Sequence, residues 1–251
     1  MVVLYFLSTK GKFYMKKAIF FDLDATLLTM SQKEFEHEYF STLTKKVIQN
    51  GFDGEKFQTT LWKCVKAMWT NPGNSTNEEL FWEVLLQSYP NQKDVFEPIF
   101  IEFYNNEYNE IKHIVKPDKY VRQIVDYAKQ NFEYIVLATN PFFPANGVKN
   151  RMAWNDLDYN EFDYVTSYEN SHYSKPDKRY YEEIMSKLNL KPQDCIMVGN
   201  NELEDYITAK SIGMQAILAG EFIIPYNEVD THPQVVLFEN LIEEIEKLKD
   251  C

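Results

Sequence analysis

Glycine is scarce in this chain, with eight in 251 residues, and neither of the glycine-rich phosphate fingerprints occurs. The P-loop and the dinucleotide-binding turn are thereby excluded as sources of chemistry. Cysteine is also scarce. Cys64, Cys195 and Cys251 are far apart, odd in number and form no CxxC pair, which speaks against a disulfide framework or a zinc site and for a reducing, cytoplasmic setting. Basic side chains are outnumbered, 26 Lys and Arg against 38 Asp and Glu, for a net charge of −12. No nucleic-acid partner is expected, because phosphate backbones are held mainly by Lys and Arg; no acidic membrane surface is expected on the same ground. A small phosphorylated substrate in a local pocket stays compatible with that charge. No apolar run is long enough to cross a membrane. Residues 1–7 are apolar but short, with no basic region before them, so no signal peptide is expected. Met15-Lys16-Lys17 makes a more natural start, leaving residues 1–14 as an N-terminal extension outside the fold. Asn74-Ser75-Thr76 matches a glycosylation sequon, which carries no weight without a signal peptide. The sequence does not distinguish a monomer from a homodimer.

What is present is organised around Ala18-Ile19-Phe20-Phe21-Asp22-Leu23-Asp24-Ala25-Thr26-Leu27. A short apolar run reads as a buried strand, and here it ends in two aspartates spaced by one residue. Ligands of open α/β sheets sit at the carboxyl ends of strands. Positions two apart on a strand share a face, so Asp22 and Asp24 can address one site. Two like charges that close repel unless a proton or cation is shared. A hard, oxygen-seeking cation such as Mg2+ answers that need.

From 31 to 116 the pattern is helical, without a convincing strand. Phe35, Tyr39, Leu43 and Val47 recur at helical spacing; Phe57, Leu61, Cys64, Val65, Met68 and Trp69 make a second stripe. Thr76-Asn77-Glu78-Glu79 is a capping-box pattern opening a third helix. A fourth runs from 95 to 111 with Pro98 in its first turn. These stripes read as helix-bundle core; Trp62, Trp69, Phe81 and Trp82 are expected to be mostly core, with room for one of them to touch substrate. Strands and helices then alternate. The segments 134–138, 163–167, 195–198 and 215–218 read as strands, with helices through Tyr120, Val148, Ile207 and the charged tail 241–248. A further helix opens at Lys175-Pro176 and runs through Tyr180 to Leu188. The fold class is therefore α/β, a doubly wound parallel sheet with helices on both faces. All strand ends of such a sheet lie on one edge, which gathers Asp22 and Asp24, Thr139 and Asn140, the Lys175 region, and Gly199 to Asp205.

In these residues the chain resembles the phosphatase-like branch of the haloacid dehalogenase (HAD) superfamily of hydrolases. Asp22-Leu23-Asp24-Ala25-Thr26 matches the first family motif and the apolar strand ending in Thr139 the second. Lys175-Pro176 matches the third, and Gly199-Asn200-Asn201-Glu202-Leu203-Glu204-Asp205 the fourth. The resemblance implies a Rossmann-like core over 15–29 and 117–251 and an inserted all-helical cap over 30–116. It implies Asp22 as nucleophile, Asp24 as general acid and base, and Thr139 and Lys175 as catalytic groups on the phosphoryl oxygens, with Asn140 lining the substrate site. Lys178 and Arg179 are the nearby alternatives to Lys175. Mg2+ would be held by Asp22, Asp24, Asn200 and Asp205. Two departures are visible. Asn200 stands where the family has aspartate, which puts metal affinity in question. Ala25 replaces the commoner glycine, which suits a turn that avoids the left-handed region. His172, close to Lys175, reads as a surface or packing residue. The activity this implies is hydrolysis of a small phosphorylated metabolite by a Mg2+-dependent phosphatase through an aspartyl-phosphate. A phosphomutase, or a weakly catalytic binding protein on the same fold, is the alternative.

Overall fold

β1, Ala18–Phe21, is apolar at every position and wholly buried, because it is covered on both faces, as parallel strands are. The structure is a computed structural model, and it describes residues 16–249. β1 pairs in parallel with β2 (Tyr134–Leu137) on one side and β4 (Cys195–Gly199) on the other. β3 (Tyr164–Val165), β5 (Gln215–Ala219) and β6 (Val235–Val236) complete a six-stranded parallel sheet of order 3-2-1-4-5-6. The alternation of side chains along β1 divides the core. Ile19 and Phe21 join a cluster containing Ile124, Leu241 and the helical insertion; Ala18 and Phe20 join one built on Tyr180, Ile184 and Ala209. Helices thus cover both faces: α5 (Lys119–Asn131) and α9 (Phe238–Lys249) one, α7 (Lys178–Leu188) and α8 (Thr208–Ser211) the other.

Between β1 and α5 lie four helices, α1 (Gln32–Gln49), α2 (Gly54–Trp69), α3 (Asn77–Ser88) and α4 (Lys93–Asn105), then a 3-10 segment, Glu107–Ile114. Ser31 and Asp53 cap α1 and α2, and Thr76 with Glu79 closes the capping box of α3. The insertion is keyed to the core through Asn77, which is fully buried. Its amide donates to Pro141 O (3.1 Å) and Ser174 Oγ (3.2 Å), while Ser174 Oγ donates to Met68 O (3.0 Å).

Several local expectations are corrected. Pro98 lies inside α4, not in its first turn. Lys175-Pro176 forms a turn closed by Asp177 N donating to Ser174 O (3.0 Å), and α7 begins only at Lys178, because Asp177 supplies the N-cap by accepting from Arg179 N (2.9 Å). The strand expected over 163–167 is confined to Tyr164–Val165. The helix expected through Ile207 is split into a π-helical turn, Glu202–Ile207, and α8. β6 was not anticipated, being two residues long. Ala25 has φ +59°, inside the left-handed region it was expected to avoid. The turn demands this: Ala25 N donates to Leu28 O (2.9 Å) and Leu28 N returns to Leu23 O (2.8 Å). Residues 1–14, and residue 15 where the core was expected to start, lie outside the described residues.

Candidate active site

The sheet order reverses between β1 and β4, the switch point at which open α/β sheets bind ligands. Asp22 leaves β1 there, its N–H donating to Val198 O of β4 (2.9 Å). Its side chain is almost wholly buried. Oδ1 accepts from Lys175 Nζ (2.8 Å) and Oδ2 from Thr26 Oγ1 (3.4 Å). Lys175 Nζ donates also to Asp205 Oδ1 (2.6 Å), making a buried carboxylate–ammonium–carboxylate chain. Asp205 reaches this position from the π-helical turn after β4. That turn packs its carboxylate so closely on Gly199 that a Cβ there would collide with it, which explains the glycine. Insertions of π geometry commonly re-aim side chains at functional sites. The other Asp205 oxygen accepts from Asn201 N (3.0 Å).

Asn140, after β2, is fully engaged. Its Oδ1 accepts from Lys175 N (2.9 Å) and its amide donates to Glu204 Oε2 (2.9 Å), so it braces the lysine loop against the fourth motif. Thr139 is buried, and its carbonyl accepts from Thr166 Oγ1 (2.7 Å) and Tyr180 OH (2.9 Å). His172 sits apart, hydrogen-bonded to Glu183 (2.7 Å) and part-exposed. Lys178 and Arg179 are exposed, and Arg179 pairs with Asp177.

Asp24 has a partner that sequence reading missed. Arg151, on α6 (Ala145–Ala153), is completely buried, holds Asp24 Oδ2 in an ion pair and lies 4.1 Å from the ring centroid of Phe143. Asp24 Oδ1 is buried and has no hydrogen-bond partner among the described residues. Arg151 could have been flagged, because with Val148 and Met152 it occupies the inward stripe of its helix, where an arginine is out of place without a partner.

Charge balance is the site's main electrostatic property. Burial pushes the Asp22 carboxyl up to about 7; Lys175 opposes this, and Asp205 and Asp24 add to it. Burial likewise carries Glu204 up to about 8. Against the burial that would strip its proton, Asp205 and Asp22 hold the Lys175 ammonium well above the usual lysine value. Among the described residues, Asp22, Asp24, Glu204 and Asp205 are set against the cations Lys175 and Arg151. The excess is negative, as a divalent cation requires. Asn200 fits that need: its amide donates to Phe222 O (2.7 Å), so its carbonyl oxygen is turned inward, where it accepts from Thr26 Oγ1 (3.4 Å). Among the described residues no three His, Cys, Asp or Glu side chains gather into a full metal cage. Mg2+ does not need one, since it commonly keeps waters and uses few carboxylates plus substrate oxygens.

These elements define a doubly wound α/β protein with an acidic, lysine-bearing site at the switch point. A family model described as haloacid dehalogenase-like hydrolase matches residues 16–213, and the chain belongs to that family of hydrolases. A curated relative, glyceraldehyde 3-phosphate phosphatase of Methanothermobacter thermautotrophicus, is 24% identical over 245 residues, covering 94% of this chain and 99% of the relative. Two solved structures share the fold. A HAD phosphatase from Thermococcus onnurineus has TM-score 0.58 and 14% identity, with 94% of this chain and 100% of that one covered. A 2-haloacid dehalogenase from Pseudomonas syringae pv. Tomato DC3000 has TM-score 0.61 and 18% identity, with 93% and 99% covered. The α/β core and separate helical region follow the core-and-cap plan expected of the family.

Proposed function

We propose that the protein is a Mg2+-dependent phosphatase that hydrolyses a small phosphorylated metabolite through an aspartyl-phosphate on Asp22. One observation carries the reading: a buried aspartate at the switch point, paired at 2.8 Å with Lys175, with Asp24 two residues on and its Oδ1 unpartnered among the described residues. Asp22 attacks phosphorus, dividing one hard hydrolysis into two easier steps. Lys175 uses two of its three N–H donors on Asp22 and Asp205, and the third serves a phosphoryl oxygen. Thr139 offers its hydroxyl to the same group. Asp24, anchored through Oδ2 by Arg151, gives a proton from Oδ1 to the leaving oxygen and later takes one from water. Such a proton donor suits an oxygen leaving group; a departing halide needs none, so the reading favours phosphate esters over carbon–halogen bonds.

Asp22, the Asp24 carbonyl, Asn200 and Asp205 would hold Mg2+, with Asn200 contributing an uncharged oxygen. When bound, the ion offsets negative charge on the phosphoryl group. Residues 30–116 act as the cap over a core of 15–29 and 117–251, excluding water until the phosphoenzyme has formed. The reading includes a cytoplasmic setting, supported by the two free, buried thiols Cys64 and Cys195. No helix among the described residues is long and apolar enough to cross a membrane. The relative's name supports phosphate-ester hydrolysis. The test is p-nitrophenol release from p-nitrophenyl phosphate with and without Mg2+, beside Asp22→Asn. Activity requiring both Mg2+ and Asp22 is expected. Turnover unchanged in Asp22→Asn removes Asp22 from the mechanism, and phosphate retained on a second substrate hydroxyl would indicate the mutase.

A further inference from the structure

Between the helical insertion and the core lies a cavity of about 1350 Å³ that reaches Asp24, Asn140 and Glu204. Pockets for whole drug-sized ligands measure about 300–1,000 Å³, so this one is large for a metabolite of a few carbons. Its walls are the second finding. Phe40, Trp62, Trp69, Phe100, Phe142 and Phe143 all line it. Phe40 and Trp62 stack at 4.3 Å between centroids. Trp62, Trp69 and Ile101 are each 52% exposed, yet all three turn toward this space. Apolar side chains gathered in the open mark a binding surface, whereas scattered ones do not. The polar complement is equally informative. Lys66 is the one basic side chain among the described lining residues, and it is exposed. The acidic side chains of the lining outnumber it, so a second phosphate or a carboxylate on the substrate would find no fixed cation. Polar side chains such as Gln32, Asn146 and Tyr168 also line the cavity, but apolar surface dominates its walls, so a polyhydroxylated group would leave most of its hydroxyls against apolar wall, and unpaired polar groups are costly to bury.

We propose that the leaving group is a bulky, uncharged, apolar alcohol, so that the substrate is a hydrophobic phosphomonoester and not a phosphorylated sugar or triose. This rests on the phosphatase reading of the same site. The reaction balances with water alone. Asp22 forms a bond to phosphorus as the ester P–O bond breaks, the departing oxygen takes the Asp24 proton, and water then releases phosphate and returns a proton to Asp24. The apolar part of the ester occupies the aromatic cavity, where its transfer from water contributes to binding.

The experiment is phosphate release, with Mg2+, from butyl, hexyl and octyl phosphate below their micellar concentrations, beside glycerol 3-phosphate and glyceraldehyde 3-phosphate. In parallel, butyl- and octylphosphonate are titrated into Asp22→Asn protein and followed by tryptophan fluorescence. kcat/KM should rise threefold to fourfold per added methylene, the ratio equivalent to about 0.8 kcal/mol per buried CH2. Octyl phosphate should therefore exceed butyl phosphate by about 10²-fold. Trp62→Ala, at an exposed position, should cut the octyl value tenfold or more. A flat or falling series, or a preference for glyceraldehyde 3-phosphate over octyl phosphate, overturns the proposal. No phosphate release from any ester, with octylphosphonate still bound far more tightly than butylphosphonate, would refute the phosphatase reading while supporting the apolar cavity. Equal binding of the two phosphonates overturns the cavity assignment itself.

Discussion

Replacing Lys175 by methionine keeps most of the side chain, one heavy atom short, and deletes its charge. Lys175 Nζ lies 2.8 Å from Asp22 and 2.6 Å from Asp205, and the side chain is 1% exposed. Without it, two buried carboxylates face each other and Glu204 with no cation between them. Breaking a buried ion pair from one side costs about 3–5 kcal/mol. The sign with pH follows from the carboxyls. Asp22 already sits at about 7, raised by burial over the opposition of Lys175, and deleting the lysine raises it further. A carboxyl whose folded pKa exceeds its unfolded one binds more protons when folded, so it loses stability as pH rises from the unfolded value toward the folded one. The penalty of Lys175→Met should be largest at pH 8. It should shrink toward pH 5, at up to about 1.4 kcal/mol per pH unit for each carboxyl taking up a proton. Urea denaturation in Mg2+-free buffer at both pH values measures it; the pH 8 loss corresponds to roughly 6–20 °C in Tm for a domain of this size. Adding Asp205→Asn should recover part of the loss. An equal loss at pH 5 and pH 8 would mean that packing, not charge, is responsible, and no loss at pH 8 would refute the buried chain.

Ala25→Gly should raise stability by about 0.5–1 kcal/mol, since a left-handed residue with a Cβ costs about 1–2 kcal/mol and glycine returns part of that through unfolded-chain entropy; urea midpoints measure it, and a lower midpoint counts against the strain. Gly199→Ala should push Asp205 off Lys175, costing about 1–3 kcal/mol as overpacking does, and should reduce phosphate release together with stability. Asp24→Asn should lower kcat by about 10²–10⁴, the range of general acid–base catalysis, and Arg151→Met by less, with the fall in kcat exceeding any change in KM. Mg2+ should raise Tm more at pH 8 than at pH 5, because protons compete for Asp22 at the lower pH; at a hundred times its Kd the ion should contribute about 2.7 kcal/mol.

The strand ends and their polar residues were legible because a buried parallel strand leaves its chemistry only one place to appear, its C-terminal edge. Asp22, Lys175 and Asp205 come together there from three separate motifs. The helical insertion was legible too, since 3.6-residue periodicity and the Thr76 capping box are local signals. What periodicity reports is an apolar face, not what covers it. In α2, Phe57, Leu61, Cys64 and Met68 are buried, but Trp62, Val65 and Trp69 form an adjacent stripe toward the cavity. Of the aromatics expected to be mostly bundle core, Phe81 and Trp82 are buried, whereas Trp62 and Trp69 are half exposed. The Ala25 conformation was illegible for another reason, being imposed by hydrogen bonds of a turn whose register only the fold reveals. Arg151 stands out on the inward stripe of its helix, but its partner could not be named, because Asp24 lies 127 residues away in sequence.

The central position of β1 also constrains how the chain acquires its shape. Ala18 lies in register with Tyr134 on one side and Cys195 on the other, so the strand that leads into Asp22 is synthesised before both of its neighbours. Local helices can form from neighbouring residues, whereas such distant pairings carry the cost of closing long loops. During synthesis, α1 to α4 can assemble while β1 waits for a partner, its apolar face unprotected. Only when Cys195 to Asp205 has emerged do Asp22 and Lys175 meet their third member. Any chain interrupted before that point holds Asp22 without its full charge partners, so the buried chain of Asp22, Lys175 and Asp205 is completed late, after most of the protein has been made.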